Sequence, residues 1–262
     1  MARIHPSAVV DPAAQLADEV EIGPFCLVGP QVSMAAGTRL DSHVVIAGRT
    51  RIGRNNRFYS HCAIGGEPQD KKYGGEDTEL VIGDGNTVRE HCTFSLGTAQ
   101  GGGVTRIGSG NWVMANVHVA HDCLVGDGTI MANNVTLAGH VEIGDQVILG
   151  GMSAVHQFTR VGAHAMVAGG AIVLRDVPPY VMCSGNPAEP HGLNAEGLRR
   201  RGFDADTLAA LKRAYRVLYR EGRTVADAQE ALAALESETP AAAAAVARLR
   251  EFVAASARGL IR

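Results

Sequence analysis

Aromatic side chains are scarce in this chain. Phe, Trp and Tyr make up 5% of 262 residues, and there is a single Trp. Cores of ordinary shape draw much of their buried area from such side chains, so the scarcity points to a core too narrow to hold them. Long apolar runs are also missing. No window reaches the ~20 residues a membrane-spanning helix needs, and the N-terminal "MARIHPSAVV" does not read as a secretory signal. No excess of one charge exists either. Lys and Arg number 24 against 27 Asp and Glu, a formal net charge of −3, which gives no global footprint for nucleic acid. The five cysteines, odd in number and scattered, form neither a disulfide framework nor a CxxC metal pair. A reducing cytoplasm is the expected setting.

Glycine, by contrast, is abundant at 32 residues, and the apolar share is 46%. Both fall into a repeat. Steps of six from Ile4 meet Val10, Leu16, Ile22, Val28, Met34, Leu40, Ile46, Ile52, Phe58 and Ile64, all large and apolar. The fifth place of each hexad is mostly small or β-branched, as at Ala8, Val20, Cys26, Thr38 and Cys62, and the second place is often Gly, as in "IGPFCL" and "IGRNNR". The series resumes at Ile82, Val88 and Phe94, slips by one residue, and runs from Ile107 through Val119 and Leu137 to Val173. A helix needs a spacing near 3.6 and a lone strand a spacing of 2. A period of six fits a triangular solenoid: each hexad is one short side, three make a coil, and coils stack through strand hydrogen bonds. Roughly ten coils at about 4.8 Å each give a prism about 48 Å long. Cys26, Cys62, Cys92 and Cys123 all take the small fifth place and read as core fillers. The second-place glycines are expected to ease tight bends.

Two segments interrupt the period. "GEPQDKKYGGEDTE" at 66–79 leaves and returns in phase, and "QGGGV" at 100–104 accounts for the slip. Such excursions are either tolerated surface insertions or carriers of function. After Pro178-Pro179 the pattern ends. "FDADTLAALKRAYRVLYREG" reads as an amphipathic helix capped by Asp204 or Asp206. Thr224 with Asp227 resembles a capping box, and Pro240 is placed to open a third helix. The expectation is a β-prism over 1–190 and a small helical domain over 191–262.

The hexad phase places the histidines. His121, His140 and His156 fall in hexads starting 18 residues apart, at Val119, Leu137 and Val155, on one side of three successive coils and outside the inward places. His118 precedes the corner that leads to His121. One outward histidine is usually unremarkable; four on one side are a candidate site. A flat outer face makes a poor pocket alone, so a second subunit laid beside it is expected, and three sides favour a closed trimer. Two chemistries fit: zinc held by histidines of adjacent subunits, or a general base oriented by a neighbour such as Asp122. No cysteine or acidic set completes a metal site within the chain. His164, on another side, reads as structural.

The hexad prism together with "NVHVAHDC", "NNVTLAGHVEIG", "GGMSAVHQF", "DVPPYV" and "NAEGLRRRGF" resembles the UDP-N-acetylglucosamine O-acyltransferases of lipid A biosynthesis, over essentially the whole chain. The resemblance implies a left-handed parallel β-helix, against the usual right-handed crossover rule, followed by the helical domain. It implies transfer of a 3-hydroxyacyl group from acyl carrier protein to the sugar 3-hydroxyl, in a homotrimer, with no cofactor and no metal. By that likeness His121 is the base, and the Gly139 N–H stabilises the oxyanion. Asp70, Lys72, His118, His140 and His156 match sugar-site or cleft positions. Gln157, Asn194, Glu196, Arg200 and Arg201 match positions around the nucleotide, and Gly169, in "AHAMVAGG", matches a residue that sets acyl-chain length. Ser95 stands where the family commonly has His. Between Arg199 and Arg223 lie eight basic and three acidic residues, with Lys212, Arg216 and Arg220 every fourth residue, a face suited to an acidic carrier protein. Other readings weighed are a metal-dependent prism enzyme of the γ-carbonic anhydrase kind, a related sugar N-acyltransferase, and a structural scaffold.

Overall fold

A computed structural model describes residues 1–262 and turns the hexads into strands mostly two residues long, such as Glu21–Ile22, Leu27–Val28 and Ser33–Met34. They assemble into three sheets of eleven, nine and eight strands. In an undisturbed coil each strand pairs in parallel with one 18 residues on, as Ile22 does with Leu40. The solenoid is a left-handed parallel β-helix. We number its faces by the strands that open them: Glu21–Ile22 lies on the first face, Leu27–Val28 on the second and Ser33–Met34 on the third. The first, second and third corners follow the faces of the same number.

The stepped residues form the core. Ile22, Leu40, Phe58, Val88, Val119 and Leu137 are all at most 3% exposed, within one cluster of 44 buried residues. Each such apolar side chain contributes about 1.5–3 kcal/mol of transfer free energy. Many fifth-place polar residues are also buried, and some of them pair along the stack. Asn86 donates from Nδ2 to Asn56 Oδ1 at 2.9 Å, and Thr129 donates its hydroxyl to Asn111 Oδ1 at 2.7 Å.

The second-place glycines serve a different purpose from the bend expected of them. Cβ atoms built on Gly23 and Gly53 would lie 2.6 and 2.7 Å from the carbonyl oxygens of Asp41 and Gly83 on the next coil. Glycine there permits close stacking. The tight bend, with φ near +60°, falls at the fourth place, and it is held by residues such as Asn55, Asn116, His140, Gln146 and His164. Asn and His are enriched among non-glycine residues that adopt this conformation.

Both excursions leave from the second corner. One joins strand Ala63–Gly66 to Glu79–Ile82; the other joins Thr93–Ser95 to Val104–Ile107 and contains a 3-10 turn, Ala99–Gly101. The one-residue slip is therefore absorbed before Val104, which pairs with Glu79.

Beyond the last parallel strand, Val181–Ser184 turns back antiparallel onto Glu189–Leu193. Four helices follow: α1 (Ala195–Arg200), α2 (Ala205–Tyr219), α3 (Val225–Glu238) and α4 (Ala243–Ala254). Asp204 caps α2 by accepting the Thr207 N–H, and Thr224 with Asp227 forms a complete capping box on α3. Pro240 opens a 3-10 turn that runs into α4. The hexad period predicted neither the antiparallel strand nor the six-residue α1. The helices bury a second cluster of 15 residues that includes Tyr180, while Tyr215 and Ile261 join the prism core. No helix is long and apolar enough to cross a membrane.

Candidate active site

The second corner gathers candidate histidines and a buried aspartate. Its third-place column reads His121, Gly139, Gln157 and its fourth-place column reads Asp122, His140, Phe158. His140 therefore sits over Asp122, and Gly139 over His121, as the 18-residue coil requires. The backbone seals this register: the His140 N–H donates to the His121 carbonyl at 3.0 Å. The two imidazoles meet edge to face with centroids 5.1 Å apart, and His140 stacks on Phe158 at 4.3 Å.

Asp122 is the buried anchor, its side chain 1% exposed. Its Oδ2 accepts from His121 Nδ1 at 2.8 Å. With Nδ1 donating, the neutral imidazole is held as the tautomer whose Nε2 is a free acceptor. Asp122 Oδ1 accepts the Thr98 N–H at 2.8 Å and Oδ2 accepts the Thr98 hydroxyl at 2.6 Å. The Asp122 N–H in turn donates to Thr105 Oγ1 at 2.8 Å. The sequence reading named Asp122 but missed Thr98 and Thr105; the one sequence signal was the threonine opening the glycine-rich "TAQGGG" stretch.

His140 Nε2 lies 3.6 Å from Asp122 Oδ2. Burial lowers the pKa of His140 below the ordinary histidine range, against the opposing pull of Asp122. Burial likewise lowers that of His118, whose Nδ1 is 2.7 Å from Thr93 Oγ1. Asp70 and Lys72 lie on the first excursion. The Lys72 N–H lowers the pKa of the Asp70 carboxyl, and Gln100 of the second excursion donates to Asp70 Oδ2 at 3.0 Å, so the two excursions clasp each other. No acceptor within the chain takes the Gly139 N–H. Ser95 is buried at the end of its strand.

Other candidates lie farther along this corner or at the other two. His156 is exposed, and its Nδ1 meets Arg258 Nη2 at 3.3 Å and the Gln157 carbonyl at 3.1 Å, so it contacts the C-terminal segment rather than the other histidines. Gln157 is exposed beside it. Gly169 is at the first corner, between strands Met166–Val167 and Ile172–Val173. Asn194 and Arg201 are at the third corner: Asn194 Nδ2 donates to the His164 carbonyl at 3.0 Å while its Oδ1 caps α1, and Arg201 Nε donates to Gln146 Oε1 at 2.7 Å. Glu196 and Arg200 pair at 3.0 Å on the exposed side of α1. One chain therefore spreads the candidates over all three corners.

His121, Asp122 and His140 bring one potential metal-donor atom each within 4.8 Å of one another. Both Asp122 oxygens, however, already accept hydrogen bonds from Thr98. An imidazole with a free Nε2, an aspartate behind it and an unpaired glycine N–H beside it together equip the corner for base-assisted acyl transfer.

Residues 105–139 match the family model described as bacterial transferase hexapeptide (six repeats), which sets the class: a hexapeptide-repeat transferase. Residues 176–261 match a second model, described as Udp N-acetylglucosamine O-acyltransferase, Domain 2. The chain is 56% identical to the acyl-[acyl-carrier-protein]–UDP-N-acetylglucosamine O-acyltransferase of Thiobacillus denitrificans, with all of both chains covered. Among solved structures, the UDP-N-acetylglucosamine O-acyltransferase of Moraxella catarrhalis superposes with a TM-score of 0.96 at 48% identity, covering 99% of each chain. The UDP-N-acetylglucosamine acyltransferase of Francisella novicida gives 0.95 at 41%, covering 99% of this chain and 94% of its own. The chain belongs to the UDP-N-acetylglucosamine O-acyltransferase family.

Proposed function

We propose that this enzyme transfers a 3-hydroxyacyl group from acyl carrier protein to the 3-hydroxyl of UDP-N-acetylglucosamine, the entry step of lipid A biosynthesis, with His121 as general base. The names of its full-length relatives support the reaction. The observation that carries the base is the bond from His121 Nδ1 to the buried Asp122. Nε2 takes the proton of the sugar hydroxyl as its oxygen attacks the thioester carbonyl carbon. The Gly139 N–H donates to the resulting oxyanion. Collapse breaks the carbon–sulfur bond, and the imidazolium returns its proton to the leaving carrier thiolate. Asp122 stabilises the imidazolium and keeps the ring oriented.

His118, His140, Asp70 and Lys72 line the sugar side of this corner. His156 belongs with the catalytic cleft, and Gln157, Asn194, Glu196, Arg200 and Arg201 serve the nucleotide and the cleft around it, since a diphosphate is well matched by guanidinium groups. Residues 1–190 then act as the catalytic prism, and 191–262 as the helical part that carries carrier and nucleotide contacts. Lys212, Arg216 and Arg220 are exposed, and none takes part in an ion pair, whereas neighbouring Arg213 and Arg223 are paired. Such a face complements an acidic carrier.

The working unit is a homotrimer in the cytoplasm. Candidates on three corners of one chain meet only if corners of different copies adjoin. The first face supports this. Its outward residues are Arg3, Glu21, Arg39 and Arg57 near the start, then Trp112, Ile130, Ile148, Met166 and Met182 in register alongside the histidine levels. An apolar strip of this kind marks an association surface.

The test is a mass-resolved assay of UDP-N-acetylglucosamine, and its 3-amino analogue, with a panel of hydroxyacyl carrier proteins. An O-acylated product is expected. Acylation of the amine alone would assign a sugar N-acyltransferase, and no acylated product at all would overturn the proposal. Light scattering should give three chains, and full activity in a monomer would refute the shared site.

A further inference from the structure

The second excursion is built around one acidic side chain. Thr98 is fully buried, and both groups it can donate go to Asp122, its N–H to Oδ1 and its hydroxyl to Oδ2. Thr98 also occupies the N-cap of the 3-10 turn Ala99–Gly101, where a threonine hydroxyl ordinarily accepts from that turn's own N–H groups. Here it makes no capping bond, because the hydroxyl is turned to the carboxylate. The Thr98 carbonyl accepts the Gly101 and Gly103 N–H groups at 3.0 and 2.9 Å, which folds the excursion back over Asp122. At Gly101 a Cβ would stand 2.1–2.3 Å from all three atoms of that carboxylate group.

We propose that Thr98 is a positioning residue for His121, and that Gly101 is glycine because its Cα closes the seat in which Thr98 holds Asp122. This rests on His121 being the base. The argument is geometric. A carboxylate on a turn residue with φ of 59° can swing about its own side-chain torsions. Two donors from one residue, one to each oxygen, remove that freedom. Oδ2 then stays where His121 Nδ1 can donate to it at 2.8 Å, and Nε2 points away from the carboxylate. The excursion is thus an orienting clamp on the base, one shell behind the substrate. Its cost is the one-residue slip in the period.

The test compares Thr98→Val, which keeps shape and the N–H but loses the hydroxyl, with Thr98→Ser, which restores it. Thr98→Val is expected to lower kcat by about 10–100-fold, the range for one hydrogen bond to a charged group, with KM for the sugar nucleotide unchanged. Thr98→Ser should recover most of it. The nitrogen chemical shifts of His121 should move toward a mixed tautomer in Thr98→Val, and the effect on kcat should vanish in an Asp122→Asn background. Gly101→Ala should reproduce the kcat loss, and it decides the matter if the valine variant fails to fold. Normal kcat and unchanged His121 shifts in folded Thr98→Val or Gly101→Ala would overturn the proposal, as would an undiminished loss in the Asp122→Asn background. Normal turnover in His121→Ala would instead sink the base assignment, a separate result.

Discussion

Gly139 lies directly over His121, one coil on, and a Cβ built on it would stand 2.5 Å from His121 Cε1. The absent side chain is what lets the imidazole occupy the corner. The same glycine contributes the unpaired N–H proposed to meet the oxyanion. Gly139→Ala should therefore displace the ring. An ångström-scale misplacement costs roughly 10²-fold in rate, so kcat should fall by about that factor while thermal stability changes little. Wild-type kcat in this variant would show that the ring has room to spare.

His121→Ala should lower kcat by about 10²–10⁴-fold, the usual range for a lost general base, in a protein that still folds. Treating the wild type with a chelator should leave activity intact. Loss on chelation, restored by zinc, would move the histidines to a metal role.

Gly169 stands at the first corner with open space on most sides; its built Cβ meets only the Gly151 backbone, at 3.2 Å from the carbonyl oxygen. If the acyl chain passes this corner, a glycine leaves it room, so the wild type should prefer donors of about fourteen carbons over ten, at about 0.8 kcal/mol per buried methylene. Gly169→Met should reverse that preference. Equal ratios of kcat/KM for the two donors in mutant and wild type would exclude Gly169 as the stop.

Arg201 is half-buried against Gln146, and burial lowers its pKa from the usual arginine value, whereas Arg200 is exposed and paired with Glu196. Arg201→Ala should raise KM for the sugar nucleotide more than Arg200→Ala, with KM for the carrier unchanged. If nucleotide affinity is untouched in both, these arginines belong to carrier docking or to the fold.

His164 gives the stability an acid limb. Burial, aided by Arg201 and Arg248, lowers its pKa to about 4 in the folded chain. The unfolded imidazole takes its proton near 6.5. Between those values the unfolded state binds more protons, so stability falls as pH falls from about 6.5 to 4. The ring packs on Tyr180 and Phe203. His164→Phe, at a corner place that Phe25 and Phe158 occupy in other coils with similar φ, should flatten that part of the melting-temperature profile. An unchanged acid limb would assign it to other groups.

The solenoid was legible in the sequence because its physics is local and repeated. One large aliphatic residue every six, such as Ile22, Val119 and Leu137, must face inward in every coil, so the period alone determines the three faces and the corner each histidine occupies. The helical tail was legible too, through the caps at Asp204 and Thr224. The antiparallel return at Glu189–Leu193 and the short α1 left no periodic mark, being set by packing against the prism's end. Only the tertiary structure decided which neighbours the histidines have. Adjacency in sequence could not say that Asp122 turns back onto His121, nor that Thr98, 24 residues earlier, holds it there. Coil stacking brings together residues separated by 18 or more positions, and their contacts depend on corner torsions and on where the excursions fold back, which no local pattern encodes.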